Sequence, residues 1–313
     1  MGLLSSQPGF SVSKLLYPRL KKEIQKIRAV GEITRKGVIN SDLGEIIKDE
    51  LNLTCAPVLD VGATENAYAQ LPLFNEDHPF LKRYQTTVAS GDAIALIKKL
   101  GRPIYGGFDN HGKAFGDIAD IPVTIAIGKG LFSDKFTDGE IAMILLHEIG
   151  HVRTQFSFLI YGFTTSTLAH TATHALINER NREERMRLVL EYENTVGTTI
   201  QSKEKLVDSN DEQLITTVVV AAADNVKSDM NTPSFDVSQC EQSADQFATA
   251  AGNGAELASG IGKITGRLDP SRISRPVYYT LDAVYSLLIM SQFLNPIGAV
   301  IMSLRLLYKG NPS

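Results

Sequence analysis

The chain has 313 residues, enough to bury a sizeable core as one large domain or two small ones. Its net charge of −4, from 31 Lys and Arg against 35 Asp and Glu, leaves no electrostatic case for nucleic acid as a partner. Two cysteines, Cys55 and Cys240, are too few for a disulfide framework and fit a reducing compartment.

In chain order, the start MGLLSSQPGF lacks a basic stretch followed by an apolar core, so no signal peptide is expected. Met1-Gly2-Leu3-Leu4-Ser5-Ser6 matches the myristoylation pattern, which has meaning only in a eukaryotic cytoplasm. The expected location is the cytoplasm or the inside of a larger assembly. Residues 1–40 are expected to form an N-terminal arm with a basic amphipathic helix from Leu20 to Val30, and Ser41-Asp42 to cap a helix running to Leu51. Cys55–Val61 and Asn66–Leu71 have strand composition and flank a Gly-Ala-Thr-Glu-Asn turn. Asn75 to Pro79 is expected as a polar loop with an exposed His78, Gly91–Leu100 as a helix, and Gly101–Gly116 as a glycine-rich loop with His111. Pro122–Ile127 is a further strand. Strand, strand, helix, strand, helix implies α+β: a small curved sheet backed by helices.

Thr137-Asp138-Gly139-Glu140 forms a capping box, followed by the apolar run Ile141, Met143, Ile144, Leu145, Ile149 and Val152. Within that helix stands Leu146-His147-Glu148-Ile149-Gly150-His151, an HExxH motif. Two histidines four residues apart lie about 40° apart around a helix axis, so both imidazoles can face one zinc ion. Glu148 is turned aside, where its carboxylate reaches a water at the metal as general base. The competing view, two core histidines hydrogen-bonded inside a packed helix, requires burying both imidazoles and a carboxylate without a cation.

Beyond the motif the chain is expected to be almost wholly helical. Phe156–Ile177 starts apolar but carries Thr164, Thr165, Ser166, His170, Thr171, Thr173 and His174, of which His170 and His174 form a second i, i+4 pair without an acid. A polar face of a packed or pocket-lining helix suits that pair better than a second metal site. Asn178–Glu193 reads as a solvated helical face rich in ion pairs, Leu206–Gln213 as a polar connection, and Leu214–Ala223 as a buried helix or strand. In Cys240-Glu241-Gln242-Ser243-Ala244-Asp245, Glu241 and Asp245 share a helix face. Glu241 offers the third zinc ligand, and Asp245 an acceptor for the free ring N–H of a ligating histidine. Ala244 and Ala248 would let this helix pack closely on the first. Taken alone, the acidic pair reads as an ordinary solvated pair on a surface helix, and it gains weight only downstream of HExxH and followed by Phe247-Ala248.

HEIGHV with a later ExxxD resembles the gluzincin metallopeptidases, nearest the group of the CAAX prenyl endopeptidase and the bacterial heat-shock membrane protease. Asn66-Ala67-Tyr68-Ala69 is similar to that family's N-A-F-A strand, Ile121–Leu131 to its strand and glycine segment, and Glu241–Ile264 to its third-ligand region. The likeness covers roughly residues 45–155 and 236–265. It implies a zincin-like core, one zinc ion on His147, His151 and Glu241, Glu148 as base, Asp245 behind a ligand, and Asn66, Ala67, Tyr68 and Ala69 along a peptide substrate. Gln155 and Phe156 stand where many members have a basic pair, and Asp269-Pro270 where they have His-Pro. Arg272, Arg275, Tyr278 and Tyr279 are candidates for stabilising the transition state.

The relatives are membrane proteins. Here Val284–Leu307 approaches a span in length, but Gln292, Asn295 and Pro296 interrupt it, so two packed helices are expected in place of a membrane segment. The expected organisation is an arm (1–40), a metallopeptidase domain (41–270) with a helical insertion at about 156–235, and apolar C-terminal helices (271–313). Three readings remain open: a zinc endopeptidase acting on protein or peptide; a zincin-fold assembly component, as in a virion or multiprotein complex, docking through its apolar C-terminal region; and a membrane-associated protease of the type usual in the family it resembles.

Overall fold

The computed structural model describes residues 11–62, 64–72, 78–100, 103–179, 181–196, 199–209, 217 and 237–265. The architecture is α+β. In chain order the elements are α1 (Leu16–Ala29), α2 (Arg35–Ile39), α3 (Leu43–Leu51), β1 (Cys55–Asp60), β2 (Ala67–Gln70), α4 (Pro79–Ala89), α5 (Asp92–Leu100), β3 (Gly106–Phe108) and β4 (Ala114–Gly116). Then come β5 (Val123–Gly128), α6 (Asp138–Asn178), α7 (Arg182–Val196), α8 (Lys203–Val207), α9 (Val237–Ala251) and α10 (Gly254–Thr265). The chain divides into two units. One takes its described residues from Met1–Leu73, Tyr105–Ser157 and Val237–Tyr278, the other from Phe74–Ile104 and Phe158–Asp236.

The first unit is built on a three-stranded sheet of order β1-β5-β2. Strand β5 takes the middle because Val123, Ile125, Ala126 and Ile127 are buried, so the strand is apolar on both faces. Strand β1 runs parallel to it from Cys55↔Val123 to Asp60↔Gly128, and β2 antiparallel from Ala67↔Ile127 to Gln70↔Thr124. Gly128 and Gly130 donate their amides to Asn66 O (2.8 Å) and Thr64 O (2.9 Å). A Cβ at Gly128 would stand 2.6 Å from Asn66 O, so only glycine lets the turn before β2 close over the end of β5.

The start of α6 is held from three sides. Thr137 N–H donates to Glu140 Oε2 (2.8 Å) and Glu140 N–H to Thr137 Oγ1 (3.2 Å), the reciprocal pair expected from the sequence. From α10, Ser259 Oγ donates to Glu140 Oε1 (2.5 Å) and Lys263 Nζ to Glu140 Oε2 (2.6 Å). From α1, Arg28 reaches Asp138 Oδ1 (2.7 Å) and Phe136 O (3.0 Å). Behind this cap, Ile141 through Leu146 are all at most 2% exposed, which makes the helix the axis of the core.

In the second unit, Tyr84 of α4 bonds to Thr167 Oγ1 (2.8 Å) and donates to Phe163 O (3.2 Å) in the later part of α6, where its ring packs 4.3 Å from that of Phe163. Arg185 of α7 donates to Val207 O (3.1 Å), and Glu193 accepts from Ile200 N–H (2.5 Å) and Lys203 (2.6 Å).

Several expectations need correction. Within the glycine-rich loop expected at 101–116, residues 106–116 hold a β3–β4 hairpin with register Gly106↔Gly116 to Phe108↔Ala114. Its turn is set by Asp109, whose Oδ1 accepts from His111 N–H and Lys113 N–H, both at 2.8 Å. His78 is half-buried and caps α4, accepting from Phe80 N–H (3.3 Å) with Pro79 in the first turn. Asp42 precedes α3 without a side-chain cap bond and pairs with Lys26 instead (3.0 Å). Helix α8 covers part of the connection expected at Leu206–Gln213. The myristoylation pattern, residues 214–223 apart from 217, Arg272, Arg275, Tyr278, Tyr279, Val284–Leu307 and the region 271–313 lie outside the described residues. Among the described residues, no helix is long and apolar enough to cross a membrane.

Glu140 anchors this arrangement electrostatically. Burial acts to raise its pKa, but Lys263, Ser259 and the Thr137 amide outweigh it and bring the value down to about 2 from an ordinary 4.5. Because the folded pKa is depressed, its stabilisation is complete above pH 4.5 and is lost as pH falls through about 2. Glu140→Gln should cost about 3 kcal/mol at pH 7 and flatten the acid side of the stability curve. Urea denaturation between pH 7 and pH 2.5 measures both, and equal pH profiles for the two proteins would contradict the assignment.

Candidate metal centre

Helix α6 carries His147, Glu148 and His151, whose ligand-type atoms lie within 4.8 Å of one another. His147 is buried, while Glu148 and His151 are only partly exposed. The i, i+4 spacing converges the two rings: His147 Nε2 and His151 Nε2 are 3.0 Å apart, with the ring planes at 88°. Helix α9 supplies the other side. Glu241 Oε2 stands 3.2 Å from His147 Nε2, and Glu241 Oε1 stands 3.5 Å from His151 Nε2. Asp245, one turn further along α9, bonds His147 Nδ1 at 2.8 Å.

The Asp245 bond decides the tautomer of His147. A carboxylate accepts, so Nδ1 carries the proton, and in the neutral ring Nε2 presents a lone pair toward His151 and Glu241. Burial lowers the pKa of His147, but Glu241, Glu148 and Asp245 together outweigh that and raise it. The two histidines hold Glu241 well below the usual carboxylate range against the effect of its partial burial. Glu148 moves the other way: burial raises it, resisted by His151, His147 and the backbone N–H of Ala69.

The two helices meet through small residues. Ala244 and Ala248 are fully buried, and Ala244 faces Gly150. A Cβ on Gly150 would lie 2.7 Å from Ala244 Cα and 3.1 Å from Ala244 Cβ. Gly150 therefore permits the approach that brings Glu241 and Asp245 to His147. Arg153 braces the same junction one turn further along α6, with its guanidinium 5.5 Å from the ring of Phe108 and 5.8 Å from that of Phe247 on α9. Burial lowers the Arg153 pKa to about 10 despite Asp109. Nothing in the sequence singles out Arg153 or Gly150. The one signal is the HExxH register, which puts Gly150 between the histidines and Arg153 two residues past them.

The proposed substrate strand is β2. Ala67 and Ala69 are buried, Tyr68 is half-buried and Asn66 is exposed. Ala69 N–H faces the Glu148 carboxylate and lowers its pKa, and Ala69 O accepts from Gln155 Nε2 (3.1 Å). The structure thus gathers His147, Glu148, His151, Glu241, Asp245 and the Ala69 backbone at one place. His170 is half-buried within the later part of α6, and the His174 side chain is outside the described residues.

Comparison of the chain with protein-family models, with curated proteins and with solved structures gives no match in any of the three.

Gly150→Ala should force α9 away from α6, costing about 1–3 kcal/mol as over-packing does. The His147–Asp245 bond should then open, which NMR would record as loss of the slowly exchanging Nδ1–H signal. Retention of that signal in a folded variant would mean the approach tolerates a methyl group.

Proposed function

We propose that the chain is a zinc-dependent endopeptidase on a zincin-like core, with zinc held by His147, His151 and Glu241. The observation that carries this reading is the set of three donor separations, 3.0, 3.2 and 3.5 Å. Nitrogen and oxygen ligands placed tetrahedrally about zinc, each roughly 2.0–2.1 Å from it, stand roughly 3.3 Å from one another. The two imidazole nitrogens, which gain little from facing each other, and the two oxygens of the Glu241 carboxylate, each facing a different ring, are gathered at close to that spacing and suit a shared cation. The donor set also has the composition expected for a catalytic site, three protein ligands and an open fourth position.

When bound, zinc would polarise the scissile carbonyl and bring a water's pKa toward neutrality. The chain's own residues supply the rest. Glu148 lies beside the cluster, and burial raises its affinity for a proton, which suits a group that accepts one from water. After attack on the peptide carbonyl, Glu148 returns that proton to the departing amine. Asp245 keeps His147 in the tautomer whose Nε2 is free to ligate. Glu241, held ionised by both histidines, balances part of the metal charge.

Elemental analysis of the purified protein should find about one zinc per chain, lost in His147→Ala. Glu148→Gln should keep the zinc and lower casein cleavage by at least ~10³-fold, since it removes the proton carrier and leaves the ligands. Zinc lost with Glu148→Gln, or cleavage retained, would sink the assignment of the base. Zinc without chelator-sensitive cleavage in the wild type would instead favour a metal-stabilised assembly component.

A further inference from the structure

The outer edge of β2 is the natural place for an extended peptide to add beside Glu148, and the chain itself occupies much of it. Residues alternate along the strand in the direction of their backbone groups. Asn66 O accepts from Gly128, so the even positions 66, 68 and 70 face β5, and the odd positions 67 and 69 face outward. On that outward side, Ala67 N–H donates to Asn66 Oδ1 (2.9 Å), Ala69 N–H faces the Glu148 carboxylate, and Ala69 O accepts from Gln155 Nε2 (3.1 Å). Two of these outward backbone groups are therefore hydrogen-bonded by side chains of the protein, and the third faces one.

These three side chains differ in what they do. Asn66 binds its own neighbour and belongs to the turn. Glu148 belongs to the chemistry proposed above. Gln155 sits seven residues beyond Glu148, on the same face of α6 two turns on, and its bond to Ala69 O joins the catalytic helix to the strand. Its second polar atom, Oε1, is buried and has no hydrogen-bond partner among the described residues. A side-chain amide with one atom bonded and the other unsatisfied is held less firmly than one bonded at both ends.

We propose that Gln155 is a gate on the β2 edge: it caps the Ala69 carbonyl, and an extended peptide backbone adds to the strand when Gln155 releases it. This rests on the peptidase reading for the identity of the ligand. The incoming amide N–H takes the carbonyl, and the freed Gln155 presents both ends of its amide to the peptide. No covalent step is involved. Gln155 acts as a positioning residue, setting how readily sequence-tolerant backbone pairing begins at this edge.

The test uses fluorescein-labelled casein and the full-length Glu148→Gln protein, so that binding is read without hydrolysis. Anisotropy titrations compare this background with the same protein carrying Gln155→Ala or Gln155→Met. The second variant keeps the volume of the side chain and removes its hydrogen-bonding amide, in case the smaller one unfolds. Uncapping one carbonyl should tighten binding about five- to tenfold in both variants, the equivalent of one hydrogen bond no longer displaced. In the Glu148-containing enzyme, KM should fall by a similar factor with kcat changed little. Unchanged or weaker affinity in folded variants, or no binding by any of them, would overturn the gate and leave Gln155 a structural tie. Zinc content and wild-type cleavage are measured alongside. Their loss with the affinity gain intact would fail the peptidase reading alone, and their presence without the gain would fail the gate alone.

Discussion

Contact between α6 and α9 at Gly150 and Ala244 is the constraint on which the site depends. Histidines at i and i+4 are arranged by a helix alone, but the acidic half of the cluster lies 98 positions away in the chain at Asp245. Bringing it within 2.8 Å of His147 requires two helix backbones to approach with no side chain between them. Glycine on one helix and alanine on the other provide that, and Arg153 between Phe108 and Phe247 fixes the same pair of helices one turn further on. The buried cap at Glu140 serves the same end from the start of α6, since α10 follows directly on α9 and is tied to α6 through Ser259 and Lys263. Two attachments of one helical pair to one helix, at its first turn and at Gly150, set both the distance and the rotation of α9.

Much of this is legible in the amino-acid sequence alone. A capping box followed by an apolar run with helical period is a strong local signal, and α6 begins where Thr137 and Glu140 place it. Strands β1 and β2 and central β5 are legible for a similar reason, since β-branched and apolar runs bounded by Gly, Asn and Pro have few alternatives. The strands fall within one or two residues of the expected bounds. Pairing partners are not legible, because a parallel β1–β5 contact joins segments separated by some 68 positions and depends on tertiary packing.

The misses also have physical causes. Residues 103–116 carry glycines that suit both a loop and a tight hairpin, and Gly116 adopts φ +64 to end β4, a conformation that period-2 patterning does not reveal. Helix α4 begins at Pro79, which favours a first turn, but its cap is His78, a residue type that rarely serves there and so gives no start signal. Gln155 stands out in the sequence only as a departure from a pattern. Its role depends on Ala69 lying opposite, and that follows from the β2–β5 register, which no local motif encodes.

The electrostatics of the cluster bear on the proposed metal more directly than the motif does. Three carboxylates, Glu148, Glu241 and Asp245, crowd two imidazoles on the flank of a buried helix. Glu241 and Glu148 are pushed apart: Glu241 is held down by both rings, while burial lifts Glu148. His147 is drawn upward by the surrounding negative charge despite its burial. A proton shared between the rings offsets only part of that excess, and it uses up the lone pair that the Asp245 bond has directed inward. A divalent cation offsets more of it and leaves both lone pairs bonded. Without a cation the two rings have, among the described residues, only Glu241, Asp245 and each other as partners, on a helix whose neighbouring leucines and isoleucines are already packed.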